Sequence, residues 1–327
     1  MLPRQPSYLW NVARRKRLYQ LTVVAIGWSV VSQGSALAQT RVDGYLRELN
    51  NLDDSRPEST CIARDSLRKL ILESDIDERE KMFRAFRAFY STSVRRTDPP
   101  FVAGMAKYVN DYEQWLLANQ AGSMQQFLNA RPDVAEAGSR WFKCGFSMYD
   151  AEGTLYPMQD SAVLLSFANK LGPGLASYIR FRAQEDREIV IGDAAIQISW
   201  EELRLKLQRW EAFERGHQQL PEANSEMEPF IRALALLYLF GSDNTPTFNS
   251  QDGRIDPKLI ASWSKFASHD PSSRYHELLS SLVTNVNAQN QTITQKDRRL
   301  FARFGMGDSF DQWWRLLQFR LTGRPHS

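Results

Sequence analysis

The stretch DEREKMFRAFRAFYSTSVRR, residues 77–96, predicts a long amphipathic helix and with it a mainly helical fold. Its large apolar side chains recur every three or four positions and therefore share one face of a helix: Met82, Phe83, Phe86, Phe89 and Tyr90. Acidic residues open the stretch and arginines close it, an order that complements the helix dipole. Asp98-Pro99-Pro100 follows, and because proline lacks the amide hydrogen that a helix needs, we expect the helix to end there.

Later segments repeat the helical spacing and have recognisable ends. The stretch WEELRLKLQRWEAFER begins after Ser199, which together with Glu202 has the pattern of a capping box. Residues 227–241, MEPFIRALALLYLFG, are apolar on nearly every side, which predicts a central buried helix. Trp313 and Trp314 mark a last helix that we expect to dock on the body of the protein.

One segment has the spacing of strands instead of a helix. Residues 187–199, REIVIGDAAIQIS, contain two short β-rich runs separated by Gly192-Asp193, a pair that suits a type II′ hairpin turn. An isolated hairpin is only marginally stable, so we expect it to pack on helices or on a partner. The predicted fold is mainly α, an irregular multi-helix domain with one small β-hairpin at about 187–199.

The N-terminus has the three parts of a secretory signal peptide. The basic cluster Arg14-Arg15-Lys16-Arg17 precedes a mostly apolar run from Leu21 to Val31, and the small residues Ala36-Leu37-Ala38 form a cleavage site. The apolar run is much shorter than the ~20 residues that a membrane-spanning helix needs. We therefore predict cleavage after Ala38.

Cleavage there divides the chain into a signal peptide, 1–38, and an exported helical domain, 39–327, with a possible subdivision near 185–200. We expect no transmembrane segment in the mature chain. The predicted localisation is periplasmic or secreted. An uncleaved amphiphilic anchor at the N-terminus is the alternative.

The charge balance of the mature domain excludes one class of partner. The whole chain has 41 Lys and Arg against 38 Asp and Glu, a formal net charge of +3. The leader holds five of those 41 basic residues and no acidic residue, so its removal leaves 36 basic against 38 acidic residues. A domain that binds nucleic acid normally carries a basic patch or stripe. We therefore expect no nucleic-acid partner.

The chain has two cysteines, Cys61 and Cys144, and both lie in the predicted mature domain. An even number of cysteines in an oxidising compartment favours a disulfide. Two buried free thiols are the alternative, because the spacing of Cys61 and Cys144 does not distinguish a disulfide from two free thiols.

The sequence contains no recognisable cofactor or metal motif. The stretch HELLS, residues 276–280, begins like the zinc motif H-E-x-x-H, but Ser280 stands where the second histidine is required. No G-x-S-x-G elbow, phosphate-binding glycine loop or C-x-x-C pair occurs. We therefore predict no cofactor and no bound metal.

Residues 145–157, GFSMYDAEGTLYP, combine carboxylates with aromatic side chains. Asp150 and Glu152 are candidate catalytic residues, because a glycan hydrolase uses two carboxylates across the scissile bond. Tyr149 and Tyr156 are candidate binding residues, because their rings offer flat apolar faces on which a sugar can stack. An ordinary polar turn is the alternative interpretation of this segment.

Residues 241–256, GSDNTPTFNSQDGRID, form a long connection, and loops beyond about 12–15 residues are uncommon unless they are functional or disordered. Asp243 is a third candidate catalytic carboxylate, and Asn244 and Asp252 are candidate binding residues. Their oxygen atoms are of the type that calcium prefers, although the spacing does not match an EF-hand. Asx-turns and a helix cap are the alternative roles of these side chains.

The residue pattern favours binding over catalysis. Because the sequence shows no convincing nucleophile, metal site or cofactor loop, we expect an exported helical protein that binds a protein or a cell-envelope component without catalysis. The alternative is a cell-envelope glycan hydrolase that uses paired carboxylates.

Overall fold

The computed structural model describes residues 33–119, 124–151, 153–186, 188, 190–192 and 194–322. The chain divides into two compact units, Met1–Thr40 and Arg41–Ser327. Of the first unit, the described residues are the beginning of helix α1 (Gln33–Asn51). Residues 1–32 of the predicted signal peptide therefore lie outside the described residues, and the signal peptide stays a prediction.

Helices make up most of the described chain. After α1 they are α2 (Pro57–Leu70), α3 (Ile76–Met105), α4 (Val109–Ala118), α5 (Met124–Ala130), α6 (Pro132–Ala137), α7 (Ser139–Phe142), α8 (Ser161–Leu165), α9 (Pro173–Glu185), α10 (Trp200–Gly216), α11 (Glu228–Phe240), α12 (Pro257–His269), α13 (His276–Ala288), α14 (Arg298–Arg303) and α15 (Gly307–Thr322). Within the described ranges, no helix combines the length and the apolar character needed to cross a membrane. The mainly helical fold predicted from the sequence is confirmed.

The strands of the described residues form two separate antiparallel hairpins. The first joins β1 (Phe146–Ala151) to β2 (Thr154–Gln159), and the second joins β3 (Ile191–Gly192) to β4 (Ala195–Ile196). The second is the hairpin predicted at 187–199. Gly192, predicted to lie in its turn, is instead a strand residue paired with Ala195, and the left-handed conformation falls on Ala194, whose φ is 54°.

The β1–β2 hairpin was not predicted from the sequence. Its apolar residues alternate along both strands, and the inward-facing ones are buried: Phe146, Met148, Leu155 and Pro157. Gly153 occupies the turn with a φ of 68°, a conformation that favours glycine. Alternation and the turn glycine are the sequence signals for this hairpin, whereas the polar composition around the glycine indicates only a turn.

The prediction that α3 ends at Asp98-Pro99-Pro100 is wrong, because the helix continues to Met105. Both prolines are exposed, and so are Arg95 and Arg96, whose carbonyl groups lose their helical partners. Water can satisfy carbonyls on the solvent side of a helix. On the opposite side, Phe101 and Met105 are fully buried and continue the apolar face beyond the prolines.

Tyr90 of α3 fixes the β1–β2 hairpin on the helix. Its ring packs edge-on against the ring of Phe146, with 5.7 Å between centroids. Its hydroxyl donates to the carbonyl oxygen of Gly145 and accepts from the amide of Asp160 at 2.9 Å. The residues that enter and leave the hairpin are therefore both bound to one buried side chain.

Helix α11 is buried on one side only. Ile231, Leu234 and Tyr238 are at most 2% exposed, whereas Arg232 and Ala233 are exposed. The helix packs on α10 and α15. The expectation of a helix buried all round, drawn from the apolar composition of residues 227–241, therefore holds for one side of α11.

Cys61 and Cys144 form the predicted disulfide. The bond joins α2 to the residues that precede β1 and spans 83 positions of the sequence. The alternative of two free thiols is therefore wrong. The covalent link and Tyr90 together hold the start of the β1–β2 hairpin against the helical body.

Candidate functional site

The two tyrosines predicted to bind a ligand lie side by side on the outer face of the β1–β2 hairpin. Tyr149 and Tyr156 are paired in the strand register, and their rings stack with 5.6 Å between centroids and an interplanar angle of 28°. Tyr149 is 38% exposed, and Met158, on the same face of β2, is 36% exposed. The outer face is therefore an open surface of flat and apolar side chains.

Asp150 follows Tyr149 and consequently lies on the opposite, inner face of β1. Its Oδ1 atom is buried and has no hydrogen-bond partner among the described residues. Burial raises the pKa of Asp150, and the negative charge of Glu113 raises it further, while a hydrogen bond from the backbone of Thr154 lowers it. Asp150 is thus a carboxyl group held in the protonated form to higher pH than usual.

Glu113 of α4 is the acidic neighbour of Asp150, and no motif or spacing in the sequence distinguishes it from other surface acids. A Cβ atom placed on Gly153 would lie 3.9 Å from Oε1 of Glu113, so this carboxylate sits beside the β1–β2 turn. Tyr112, next to it on α4, is 8% exposed, and burial followed by the charge of Asp150 raises the pKa of its hydroxyl. The predicted partner Glu152 lies outside the described residues.

A second carboxylate that sequence reasoning missed is Asp98 of α3. Burial raises the pKa of the Tyr149 hydroxyl, and the charge of Asp98 adds to that effect, which places Asp98 near the aromatic pair. Burial also raises the pKa of Asp98 itself, whose Oδ1 atom is buried without a hydrogen-bond partner in the described structure. In the sequence, Asp98 stands out only as part of a proline-containing break.

The predicted residues Asp243 and Asn244 contact Arg320 and the β3–β4 hairpin. The carbonyl oxygen of Asp243 accepts from the guanidinium of Arg320 at 2.7 Å. The backbone amide of Asn244 donates to the carbonyl oxygen of Ala194 at 3.0 Å, and this hydrogen bond connects the loop to the β3–β4 hairpin. The structure therefore places Asp243 beside Arg320, whereas the acidic neighbour of Asp150 is a residue of α4.

The other acids of the 241–256 loop stabilise local turns. Asp252 accepts from the amide of Arg254 at 3.0 Å, and Asp256 caps α12 by accepting from the amide of Lys258 at 2.9 Å. An Asx-turn and a helix cap are the roles that the sequence offers as the alternative to calcium binding. Within the part of the chain that the structure describes, no group of three or more His, Cys, Asp or Glu side chains could hold a metal ion.

A cleft of about 300 Å³ opens beside α11 and is lined by apolar side chains such as Phe230 and Leu237. Lys206 forms part of its wall and is 1% exposed. Its Nζ atom donates to the carbonyl oxygen of Glu185 at 2.7 Å and lies 3.1 Å from the carboxylates of both Glu185 and Glu188. An ammonium group has three donors, so these contacts occupy Lys206 and leave it a structural role.

No protein-family model matches the chain, and neither a similar curated protein nor a similar solved structure was found. No activity is therefore transferred to the chain from another protein. The candidate site is therefore described by its geometry alone: the stacked Tyr149–Tyr156 pair and the carboxyl groups around the β1–β2 hairpin.

Replacing Asp150 with asparagine should stabilise the protein at neutral pH but not in acid. The pKa of Asp150 is raised on folding, so the folded state loses stability as the pH rises from the unfolded value, about 3.9, through the folded value. Asparagine has a similar shape and does not ionise. We expect D150N to have a higher urea midpoint than the wild type at about pH 7 and an equal midpoint at about pH 3.

The matched control is D252N, because Asp252 lies on an exposed turn and receives its hydrogen bond there. We expect this variant to keep the wild-type midpoint at neutral pH. If D150N were no more stable than D252N at neutral pH, the buried and acidic surroundings assigned to Asp150 would be wrong.

Proposed function

We propose that the protein is exported and binds a protein or a cell-envelope component through the outer face of the β1–β2 hairpin, without catalysis. The observation that supports this is the stacked pair of Tyr149 and Tyr156, with Tyr149 38% exposed. Aromatic residues are enriched at the centres of recognition surfaces because they bury a large area on binding and have few rotatable bonds.

The anchoring of the hairpin also favours binding. Tyr90 binds the backbone on both sides of the hairpin, and the Cys61–Cys144 bond holds the chain just before β1. A surface that is ordered before it meets its ligand loses less conformational entropy on binding. The tyrosine pair is therefore presented on a preorganised element.

The disulfide also supports the proposal of export. Disulfides persist in oxidising compartments such as the periplasm and the extracellular space and are rare in the reducing cytosol. Together with the leader-like residues 1–38, the Cys61–Cys144 bond supports a periplasmic or secreted protein.

Removing both rings, in the variant Y149A/Y156A, should weaken binding to cell-envelope fragments by about tenfold or more. Loss of an aromatic anchor from an interface costs more than about 1 kcal/mol, and a factor of ten in affinity corresponds to about 1.4 kcal/mol, so the loss of two rings should reach at least that factor. The measurement is co-sedimentation of the exported protein with isolated envelope fragments over a range of protein concentrations, which gives a binding isotherm.

The matched control is L205A, which removes an exposed apolar side chain of similar exposure, 40%, from α10. This variant should bind like the wild type. Equal binding by Y149A/Y156A and the wild type would contradict the proposed surface, and absence of binding by the wild type would contradict the proposed ligand class. Circular dichroism of each variant establishes that it is folded.

A second candidate function is a cell-envelope glycan hydrolase that uses Asp150 with Glu113. The raised pKa of Asp150 and the nearby charge of Glu113 favour it, because a general acid needs a raised pKa and a second carboxylate about 5–10 Å away. Glycan turnover that is lost in both D150N and E113Q would establish this function. A folded wild-type protein that releases no sugar from cell-wall glycan would exclude it.

A further inference from the structure

The β1–β2 hairpin and the helix beside its turn contain acidic residues and no basic ones. Residues 144–160, which include both strands, hold three acids and no lysine, arginine or histidine. Residues 108–130, which include α4, hold two acids and again no basic residue. Lys143 precedes the first of these segments, at the open end of the hairpin. Because the whole chain has nearly equal numbers, 41 basic and 38 acidic residues, this region is more acidic than the chain around it.

The carboxyl groups nearest to the tyrosine pair lack a basic partner. The charge of Asp98 on α3 acts on the hydroxyl of Tyr149, and Asp150 follows Tyr149 on β1 with Glu113 as its acidic neighbour. In the described structure, the Oδ1 atoms of Asp98 and Asp150 have no hydrogen-bond partner. Burial raises the pKa of both groups, and no basic side chain lowers the pKa of either. Their negative charge is therefore not balanced by a neighbouring cation.

The basic residues closest to Asp98 along the chain have other contacts. Arg96 pairs with Asp54 at 3.2 Å, and Arg95 donates to two hydroxyl groups of its own helix. The Nζ atom of Lys107 lies over the ring of Tyr108, 4.7 Å from its centroid. These contacts leave the acidic groups beside the hairpin available to a cation from outside the protein.

An exposed aromatic ring next to an unbalanced carboxylate suits a cationic side chain. The face of an aromatic ring attracts a cation that lies over it. A guanidinium group also stacks on the ring, because it is planar, and it forms hydrogen bonds with a carboxylate. Tyr149 is 38% exposed and stacked on Tyr156, and Asp98 lies near its hydroxyl. The two kinds of group that bind an arginine side chain therefore lie together.

From this arrangement we infer that the outer face of the β1–β2 hairpin binds an arginine-containing basic segment of a partner protein, with a guanidinium group on the Tyr149–Tyr156 pair beside Asp98. The inference rests on the proposed function, because it uses the same surface. It selects a basic protein over an anionic glycan or lipid, because acidic groups without basic partners repel carboxylates and phosphates. The same charge raises the rate at which a basic segment meets the surface.

The test measures the binding of three peptides to the full exported protein by isothermal titration calorimetry. The peptides share a Gly-Ser backbone and carry arginine, its uncharged analogue citrulline, or glutamate at the same positions. We expect a dissociation constant of about 0.1 mM or tighter for the arginine peptide, at least about tenfold weaker binding of the citrulline peptide, and no binding of the glutamate peptide. Raising the salt concentration from about 0.05 M to about 0.5 M should weaken binding of the arginine peptide, because salt screens exposed charges.

Acidic variants connect the binding to the hairpin. Removal of one partly exposed ion pair changes affinity by about two- to fivefold, so D98N should weaken binding of the arginine peptide by that factor and D98N/E113Q by about tenfold. The matched control is D77N, because Asp77 is an exposed acid in the first turn of the same helix, about 30 Å from Asp98 along the helix axis. This variant should bind the arginine peptide like the wild type.

Tyrosine variants test the contribution of the rings. Y149A/Y156A should weaken binding of the arginine peptide by about tenfold, because each exposed contact between a cation and a ring accounts for about a two- to fivefold change in affinity. Y149F/Y156F keeps both rings and is the matched control, and it should bind the arginine peptide nearly as well as the wild type. Equal losses in these two double variants would contradict the contact with the ring faces.

Equal binding of the arginine and citrulline peptides would overturn the inference, and so would equal losses in D98N and D77N. If the two peptides bound equally while Y149A/Y156A lost its binding to envelope fragments, the proposed surface would stand and only its basic partner would be wrong. If Y149A/Y156A bound both the fragments and the arginine peptide like the wild type, the surface itself would be wrong. The peptide comparison uses the wild-type protein and therefore decides the matter even if a variant is unstable.

Discussion

Replacing Cys61 and Cys144 together with serine should lower the free energy of unfolding by about 4 kcal/mol, the largest effect expected for this protein. The bond closes a loop with a sequence separation of 83, and in the chain-entropy description a loop of that length stabilises by about 4–5 kcal/mol by restricting the unfolded chain. A chemical denaturation curve of the double variant, compared with the oxidised wild type, measures the loss.

The matched control is the wild-type protein in a reducing agent, which breaks the same bond without changing a side chain. Both samples should unfold at a lower denaturant concentration than the oxidised wild type. Serine in place of Cys144 also puts a hydroxyl group at a site that is 3% exposed, so any additional loss in the variant measures that substitution alone. Oxidised and reduced wild-type protein of equal stability would contradict the role assigned to the bond.

The loss of the disulfide has a consequence for the proposed function. Cys144 lies just before β1, so breaking the bond releases the chain at the entrance of the β1–β2 hairpin. Tyr90 still binds both sides of the hairpin through its hydroxyl. We therefore expect the tyrosine pair to persist in the reduced protein, with weaker ligand binding because the hairpin is less well ordered.

The second large effect is expected for Lys206→Ala, which should lower the free energy of unfolding by about 3 kcal/mol. Lys206 is 1% exposed and lies 3.1 Å from the carboxylate of Glu185, which is 4% exposed. Removing the ammonium leaves a buried carboxylate with one remaining partner, Arg209, at 2.8 Å. A buried charge that loses its partner is strongly destabilising because it has already lost its hydration.

The matched control is R209A, because Arg209 pairs with the same carboxylate but its side chain is 43% exposed. In R209A the carboxylate of Glu185 keeps the buried ammonium of Lys206 at 3.1 Å, and water can replace the half-exposed guanidinium, so R209A should destabilise less than K206A. The double variant E185Q/K206M, which removes both buried charges and keeps the volume, should recover most of the loss. Equal losses in K206A and R209A would contradict the argument from burial.

Much of the helical architecture is predictable from short stretches of the sequence. The capping box read from Ser199 and Glu202 is present, with each side chain bound to the backbone of the other residue. The apolar stripe of residues 77–96 forms the buried face of α3, where Phe83, Phe86 and Tyr90 have no exposed surface. These features depend on residues within about four positions of one another, and such spacing is visible in a sequence.

The continuation of α3 through its prolines depends on tertiary structure. Proline removes a helical hydrogen bond wherever it occurs, but the penalty is smaller when the unpaired carbonyl faces water. The side of α3 that carries Pro99 and Pro100 is exposed, while Phe101 on the other side is fully buried. Which side of α3 is packed and which is exposed at the prolines cannot be inferred from the local sequence.

In the candidate site, too, some features are visible in the sequence and others depend on tertiary structure. Tyr149 and Tyr156 are identifiable from the sequence as aromatic residues beside carboxylates, although their stacking requires the strand register. Glu113 comes to Asp150 from another helix, and the pKa of Asp150 depends on its burial and on that charge.

The sequence by itself thus predicted the mainly helical fold and the capping box of α10, and its even number of cysteines favoured the bond between Cys61 and Cys144 that the structure contains. The three-dimensional packing decided which acid accompanies Asp150, which lysine is buried and where α3 ends. The physical reason is that helical hydrogen bonds join residues a few positions apart, whereas desolvation and charge pairing depend on distances between segments that are remote along the chain.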